Sequence, residues 1–90
     1  MYKLSYTKTF QKDFARCLKR GYDMNIIKTA FSILEETGTM PANYRPHKLV
    51  NYQNRWECHL KPDWLLVWDR DDSEVTLIMI RTGTHSDIFG

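Results

Sequence analysis

Hydrophobic and polar residues alternate with a period of two at the start of the chain. Tyr2, Leu4 and Tyr6 fall on one face of residues 1–6, and the residues between them are polar or charged. A two-residue period is typical of a β-strand with one buried face. The pattern therefore predicts a first strand over residues 1–6.

A helical period replaces this alternation after the first strand. The first helix has its apolar positions at Phe10, Phe14, Cys17 and Leu18. Its outer face is basic, and Arg20 and Gly21 supply a basic last turn and a C-cap. Asp23 or Asn25 can cap a second helix that ends at Gly38. Its apolar band comprises Ile26, Ile27, Ala30, Phe31, Ile33 and Leu34. The two segments predict a helical hairpin.

The second half of the chain returns to the period of strands. Residues 39–54 contain two prolines and three asparagines with little periodicity, which predicts a long loop around His47. Residues 55–60 then alternate, and residues 64–68 and 74–82 form two further strands joined as a hairpin. In the first of these three strands, Trp56, Cys58 and Leu60 face one way and Arg55, Glu57 and His59 the other. The second set is expected to face solvent or a ligand.

The element order is β-α-α-β-β-β, and it predicts a small α+β fold. A helical hairpin packs on one face of a twisted, antiparallel-rich sheet, and the other face is potentially open. With 90 residues, the chain has room for one domain, which we expect to span residues 1–90. Hydrophobic residues at 42% and charged residues at 27% lie near globular averages, which excludes wholesale disorder.

Apolar segments and cysteines restrict the setting of the protein. No charge-free apolar run exceeds six residues, whereas a membrane span needs about 20 and a secretory signal about 7 to 15. We therefore expect a cytoplasmic protein without a membrane partner. Two cysteines, Cys17 and Cys58, are too few for a disulfide scaffold and do not form a Cys-x-x-Cys pair. Reduced, buried thiols are predicted.

Charge is distributed unevenly along the chain. Residues 1–61 hold eleven Lys and Arg against five Asp and Glu, whereas residues 62–90 hold two against six. The basic part can bind a phosphate backbone or an acidic protein, or it can be an ordinary solvated surface. Its excess is too small to drive high-affinity nucleic-acid binding by charge alone.

Candidate catalytic groups gather in the second half. His47, His59 and His85 are accompanied by Asp63 and Arg81, and all five fall in predicted strands, their ends or adjoining loops. This set suits metal-free cleavage of RNA, in which the ribose 2′-hydroxyl loses a proton and the leaving oxygen gains one. Histidine can act as acid or base at neutral pH, and the guanidinium of arginine can hold phosphate oxygens through two bonds.

Two other chemistries fit the sequence less well. His59, Asp63 and His85 are acceptable zinc ligands, but no H-E-x-x-H motif or Cys/His pair spacing is present. A serine nucleophile would need a G-x-S-x-G elbow, which is absent, and Cys58 alternates into the predicted core. We therefore expect no metal ligands and no nucleophilic serine or cysteine.

Each candidate also has a purely structural interpretation. His47 can be an ordinary surface histidine, and Asp63 can be a turn former after a proline. Trp64 and Phe89 can belong to the core, or they can stack on the bases of single-stranded RNA. The basic residues that can contact phosphates or remain solvated charges are Lys48, Arg55 and Lys61.

Two segments carry a resemblance to a known family. Residues 57–67 read E-C-H-L-K-P-D-W-L-L-V and residues 81–89 read R-T-G-T-H-S-D-I-F, with P-H-K-L upstream at residues 46–49. Together with the order of elements, these motifs resemble the YafQ branch of the RelE superfamily of bacterial toxins. The resemblance spans essentially the whole chain.

The resemblance implies a ribosome-dependent mRNA endonuclease of a type II toxin–antitoxin pair, which cuts the codon in the ribosomal A site without a metal or another cofactor. The positions that match the family's cleavage residues are His47, His59, Asp63, Arg81, His85 and Phe89. His85 and Asp63 are expected to transfer protons, and His47 and His59 to contact the phosphate or the transition state. Arg81 is expected to stabilise charge, and Phe89 to pack against a base or ribose.

The resemblance also implies partners and leaves rivals open. A cognate antitoxin would block the site or its approach to the ribosome, and operator DNA would be bound only by the complex with that antitoxin. One rival is a RelE-fold protein with weak catalysis that acts through antitoxin and operator binding, since a fold alone does not specify activity. A gyrase-poisoning relative is a further rival, disfavoured because that activity does not need acid–base groups.

Overall fold

The computed structural model describes all 90 residues as helices packed on one five-stranded sheet. The elements are β1 (Lys3–Tyr6), α1 (Lys8–Lys19), α2 (Met24–Thr37), a 3₁₀ turn (Ala42–Tyr44), β2 (His47–Lys48), β3 (Arg55–Lys61), β4 (Trp64–Asp71), β5 (Thr76–Gly83) and α3 (His85–Phe89). The strand order is β1-β5-β4-β3-β2. β1 pairs with β5 in parallel, and every other pair is antiparallel. The predicted α+β architecture is confirmed.

Capping residues mark the beginning of both predicted helices and the end of the second. The Thr7 hydroxyl accepts a hydrogen bond from the Phe10 amide at 3.0 Å and caps α1. The Asp23 carboxylate accepts one from the Asn25 amide at 3.0 Å and caps α2. Gly38 ends α2 with a φ of 74°, in the left-handed region that favours glycine. Local capping therefore sets the ends of the helical layer.

The main core fills the space between α1, α2 and one face of the sheet. Its largest fully buried side chains include Trp68, Phe10, Ile27, Leu34, Leu66, Leu77 and Met79. Cys17 and Cys58 are buried in the same cluster, as predicted, and burial raises the pKa of the Cys58 thiol to about 12. On the opposite face, which we call the open face, Leu65 and Val67 of β4 are also buried. The central strand β4 thus has buried side chains on both of its faces.

Two elements differ from the predicted order. Residues 39–54 are not a continuous loop, because His47 and Lys48 form the edge strand β2, paired with Glu57 and Trp56. A two-residue strand is too short to show a period. The tail after β5 folds into α3, which begins with a capping box between Thr84 and Asp87. The sheet therefore has five strands instead of the four predicted, and a third helix follows it.

An irregularity in β5 changes the direction of its side chains. Val67 is opposite Arg81 and Trp68 is opposite Met79, so that Ile80 is an extra residue in β5. Strict alternation would place Arg81 on the core face with Leu77 and Met79. The bulge instead places Arg81 opposite Val67 on the open face, which is how bulges re-aim side chains beside functional sites.

No helix combines the length and the apolar composition that crossing a membrane would require.

The two glycines that end the helices offer a test of tight packing. Gly21 and Gly38 have φ values of 81° and 74°, so alanine is strained at both. A Cβ at Gly38 would lie 2.5 Å from the Tyr2 ring, whereas a Cβ at Gly21 would meet nothing within 4 Å. We expect Gly21→Ala to lower the free energy of unfolding by about 1 kcal/mol, and Gly38→Ala by roughly 1–3 kcal/mol more. Urea denaturation of both variants measures the difference, and equal losses would contradict the close contact.

Candidate active site

The register of the sheet brings the candidate residues of three strands onto the open face. His47 of β2 is opposite Glu57 of β3, Glu57 is opposite Val67 of β4, and Val67 is opposite Arg81 of β5. Residues directly opposite each other in antiparallel strands share one face. A parallel row runs from His59 through Leu65 to Gly83, just before His85. Sheet pairing thus gathers residues that are far apart in the sequence.

Asp63 and His85 form the closest pair of titratable groups in this region. Asp63 lies in the two-residue turn between β3 and β4, and His85 is the first residue of α3. The carboxylate Oδ1 of Asp63 is 2.6 Å from Nδ1 of His85 and also accepts a hydrogen bond from the His85 amide at 2.9 Å. These two hydrogen bonds lower the pKa of the Asp63 carboxyl. Asp63 therefore stays ionised and fixes the His85 ring.

His59 lies beside this pair with a different environment. Its ring centroid is 5.8 Å from that of His85. Its Nδ1 is buried without a hydrogen-bond partner. Burial, followed by the positive charge of Arg45, lowers the pKa of His59 below its ordinary value of 6.5. A neutral imidazole at neutral pH is the consequence.

A second histidine–carboxylate pair involves His47 and Glu57. Nε2 of His47 is 3.2 Å from Oε1 of Glu57, and the Glu57 side chain is buried. The other carboxylate oxygen of Glu57, Oε2, is buried without a hydrogen-bond partner. Glu57 is two residues before His59 on β3, so its carboxylate lies within the same group of side chains. His47 is therefore joined to the cluster through Glu57.

Arg81 is held by a buried carboxylate on α1. Its Nε donates to Asp13 Oδ2 at 2.6 Å, and its Nη2 donates to Asp13 Oδ1 at 3.3 Å and to the Asp87 carbonyl at 3.1 Å. Asp13 also accepts a hydrogen bond from the Thr82 amide, at 3.2 Å. A guanidinium has five N–H donors, so the two on Nη1 remain free for an anionic ligand.

Phe89 completes the open-face site from α3. Its ring is largely exposed, and it borders a groove of about 230 Å³ together with Arg81, Tyr52 and Arg55. An exposed aromatic ring beside a free guanidinium edge suits a nucleotide, because the base can stack while the phosphate is held. The groove is continuous with the sheet row that ends at Arg81.

The four residues predicted to contact RNA lie in different settings. Lys48 and Lys61 are exposed, on β2 and at the end of β3. Arg55 is paired with Asp69 through bonds of 2.7 and 2.9 Å and lies over the Tyr52 ring. Trp64 is buried, and its indole N–H donates to the Thr82 hydroxyl at 2.9 Å. Trp64 therefore links the start of β4 to β5, and its buried ring is not available to stack on a base.

Two residues of the site were not singled out from the sequence. Glu57 alternates with His59 on the polar face of its strand, so the period already placed it there. Asp13 falls between Phe10 and Phe14 in the apolar stripe of α1, at a spacing that buries it. An acidic residue inside an apolar stripe is a usable signal, because a buried carboxylate needs a cationic or hydrogen-bonding partner.

The acidic and imidazole groups do not form a metal site of three or more ligands. No group of at least three His, Cys, Asp or Glu side chains is arranged to hold an ion. The donors occur as two separate pairs, Asp63 with His85 and Glu57 with His47. Each of these two carboxylates is thus already engaged by a histidine.

Comparison with known proteins shows which family the chain resembles. The family model of the YafQ toxin, a bacterial toxin of type II toxin–antitoxin systems, matches residues 2–90. The mRNA interferase toxin YafQ of Escherichia coli B / BL21-DE3 is 36% identical over 92 residues, covering 97% of this chain and 95% of that protein.

Solved structures agree with the sequence match. The toxin–antitoxin complex DinJ–YafQ of E. coli contains a chain with a TM-score of 0.90 and 33% identity, covering 99% of this chain and 98% of that chain. A metal-bound toxin from Helicobacter pylori has a TM-score of 0.90 and 33% identity, covering 99% of this chain and all of that chain.

The environment of His59 predicts the pH at which it titrates. Because its pKa in the folded state is lowered from 6.5, an NMR titration of its ring should give a midpoint below that value. The unfolded chain then binds more protons over the window between the two pKa values, so stability is lost as pH falls from 6.5. Arg45→Gln should raise the midpoint and still leave it below 6.5, because burial is the larger cause. A midpoint at or above 6.5 in the unsubstituted protein would contradict this assignment.

Proposed function

The chain belongs to the YafQ family of toxins from type II toxin–antitoxin systems and is an mRNA interferase, and we propose that it cuts mRNA in the ribosomal A site by metal-independent acid–base catalysis. The observation that supports this mechanism best is the ionised Asp63 bound to both the ring and the amide of His85, with the His59 ring beside it. RNA cleavage needs paired groups of this kind, because one proton must leave the 2′-hydroxyl and another must reach the leaving oxygen.

The reaction balances with the groups at hand. A base takes the 2′-hydroxyl proton, the 2′-oxygen bonds to phosphorus, and the bond from phosphorus to the 5′-oxygen breaks as an acid protonates that oxygen. The products are a 2′,3′-cyclic phosphate and a 5′-hydroxyl. The net proton count is unchanged, so no oxidant, reductant or metal is required.

His85 and Asp63 are assigned to proton transfer. When Nδ1 of His85 donates to Asp63, Nε2 is left to exchange a proton with the substrate, and the carboxylate stabilises the imidazolium that forms. His59, with its lowered pKa, is neutral at neutral pH and suits the role of proton acceptor or of a contact to the phosphate. His47, held by Glu57, is the second phosphate contact.

Arg81 and Phe89 are assigned to the substrate's charge and base. The two free N–H groups on Nη1 of Arg81 can bind the phosphate oxygens as negative charge develops. Phe89 packs against a base or ribose in the adjoining groove. Lys48 and Lys61 are positioned at the rim as contacts to the RNA backbone, and Arg55 contributes less because Asp69 already neutralises it.

The openness of the site supports a dependence on the ribosome. The side chains of His85 and Asp63 are 53% and 65% exposed, so the protein by itself makes few contacts that could orient an RNA chain. Correct orientation can contribute several orders of magnitude to a rate. The A site of a ribosome presents mRNA in a fixed conformation, and this would supply the orientation that the open sheet lacks.

The proposal extends to partners and location. The E. coli relative is known in complex with the antitoxin DinJ, and we assign a cognate antitoxin to this chain by analogy. The basic excess of residues 1–61 is complementary to an acidic antitoxin segment and to ribosomal RNA. Operator DNA would be bound only as the toxin–antitoxin complex, and a ribosomal target requires a cytoplasmic protein.

Substitution of the proton-transfer pair tests the mechanism. We expect His85→Ala to slow cleavage of mRNA on programmed ribosomes by roughly 100-fold or more, since acid–base catalysis contributes about 10²–10⁴-fold. Asp63→Asn should slow cleavage by a smaller factor, because the amide keeps the shape and loses the charge. The matched control is Asp72→Asn, since Asp72 is 66% exposed, paired with Arg70 and located at the far end of β4. Cleavage is measured by mapping new 5′ ends.

The outcomes separate the proposal from its rival. New in-frame ends that depend on His85 support the nuclease, and equal cleavage of free RNA would contradict its ribosome dependence. Growth arrest without new mRNA ends would instead favour a protein that acts through antitoxin and operator binding.

Metal independence has a test of its own. The H. pylori relative is a metal-bound toxin, whereas the donors of this site are paired with one another. We expect cleavage of a short RNA on ribosomes pre-assembled with Mg²⁺ to continue after a zinc- and copper-selective chelator is added to the toxin. Loss of activity that zinc or copper restores would show that a metal takes part.

A further inference from the structure

Asp87 contacts three parts of the structure, two through its carboxylate and one through its backbone carbonyl. It receives two hydrogen bonds from Arg20, at 2.6 and 3.0 Å, and it lies 3.9 Å from the guanidinium of Arg16. The same carboxylate accepts a hydrogen bond from the Thr84 amide at 2.9 Å, and the backbone carbonyl of Asp87 accepts one from Nη2 of Arg81 at 3.1 Å. The hydrogen bonds from Arg20, followed by those from Thr84, hold the pKa of the Asp87 carboxyl far below its usual value. Asp87 is therefore charged at every pH at which the protein would act.

The helix that contains Asp87 cannot be stable alone. α3 has only five residues, His85–Phe89, and isolated helices of that length do not persist in water. The capping box fixes its first turn. The Thr84 hydroxyl accepts a hydrogen bond from the Asp87 amide at 3.0 Å, and the Asp87 carboxylate accepts one from the Thr84 amide. The ion pair with Arg20 then fixes this turn against the end of α1. Asp87 thus contributes both the cap and the link to the rest of the protein.

The backbone next to the site has been shaped around this carboxylate. Gly83 has a φ of 145°, and a Cβ there would lie 2.7 Å from Oδ2 of Asp87. Any larger residue at position 83 would therefore displace the Asp87 carboxylate from Arg20. The chain between Gly83 and Asp87 includes His85, whose amide and ring both bind Asp63.

We propose that Asp87, clamped by Arg20, is a positioning residue for the cleavage reaction, because it holds α3 so that His85 reaches Asp63 and Phe89 borders the groove beside Arg81. This inference rests on the proposed role of His85 as a proton-transfer group. Asp87 does not touch the substrate, and it acts through the backbone of α3. Its loss should therefore slow the chemical step through His85 and, to a smaller extent, weaken substrate binding through Phe89.

The test compares Asp87→Ala with Asp87→Glu and Arg20→Ala on programmed ribosomes. Asp87→Ala should lower kcat roughly 10- to 100-fold, since a small misplacement of a reacting group can cost that much, and should raise KM by a smaller factor through the displacement of Phe89. Asp87→Glu should restore most of the rate, because glutamate is the usual partner in a capping box after threonine. Arg20→Ala should lower kcat as well, and the double variant Arg20→Ala with Asp87→Ala should lose little beyond Asp87→Ala.

A spectroscopic measurement separates positioning from loss of the fold. In Asp87→Ala the ¹H–¹⁵N NOE values of α3 amides and the ring shifts of His85 should change, while the amides of β3 and β4 keep their shifts. Asp72→Ala, which removes the Arg70–Asp72 pair at the other end of β4, is the matched control and should keep full activity.

The possible results distinguish the positioning role of Asp87 from the proposed cleavage mechanism. If the unsubstituted protein cleaves mRNA, His85→Ala does not, and Asp87→Ala cleaves normally, the positioning role is wrong while the proposed function stands. If His85→Ala cleaves normally, the proposed mechanism is wrong, and α3 ordering by NMR still reports on the clamp. Additive losses in Arg20→Ala and Asp87→Ala would also overturn the inference, because the two residues would then act independently.

Discussion

A buried carboxylate, that of Asp13, connects the helical layer to the strand on which the site depends. Asp13 is 1% exposed and sits in the apolar stripe of α1. A charge in that position is tolerated only when it is paired and hydrogen-bonded. Arg81 and Arg16 balance the charge of Asp13, and the Thr82 amide donates a further hydrogen bond. β1 ends opposite Met79, so Asp13 also satisfies an edge amide of β5 that no strand reaches. Loss of Arg81 would leave Asp13 paired only with the partly exposed Arg16, and would consequently disturb folding as well as the phosphate binding proposed for Arg81.

Much of the architecture was predictable because its signals are local. The period of two in β1 and β3, the apolar stripes of α1 and α2, and the caps at Asp23 and Gly38 each act over a few residues. β2 could not be predicted, because its two residues pair with β3 only once the sheet exists. The bulge at Ile80 is equally hidden, because it depends on the register between β4 and β5. Capping can be recognised from a few neighbouring residues, whereas pairing between distant residues cannot.

In the candidate site, too, the residue types could be predicted from the sequence, and the pairing of distant residues could not. The chemical types of His47, His59, Asp63 and His85, in predicted strands and adjoining loops, indicated proton transfer. The sheet brings His59, Asp63 and His85 together. Which carboxylate serves which histidine was not predictable, since Glu57 and His47 meet through sheet register. The two histidine–carboxylate pairs differ in exposure: Asp63 faces solvent, whereas Glu57 is buried. They therefore suit different tasks, one in exchange of protons and the other in holding a ring.

The strand order has a consequence for how the protein forms during synthesis. β5 is the last strand in chain order, yet it lies inside the sheet, between β1 and β4. β1 therefore has no hydrogen-bonding neighbour until residues 76–83 have left the ribosome, and the apolar faces of α1 and α2 must wait for Leu77 and Met79. Contacts of this long sequence separation slow folding. Arg81 lies in this last strand and His85 directly follows it, so the candidate site can be complete only after β5 has been made.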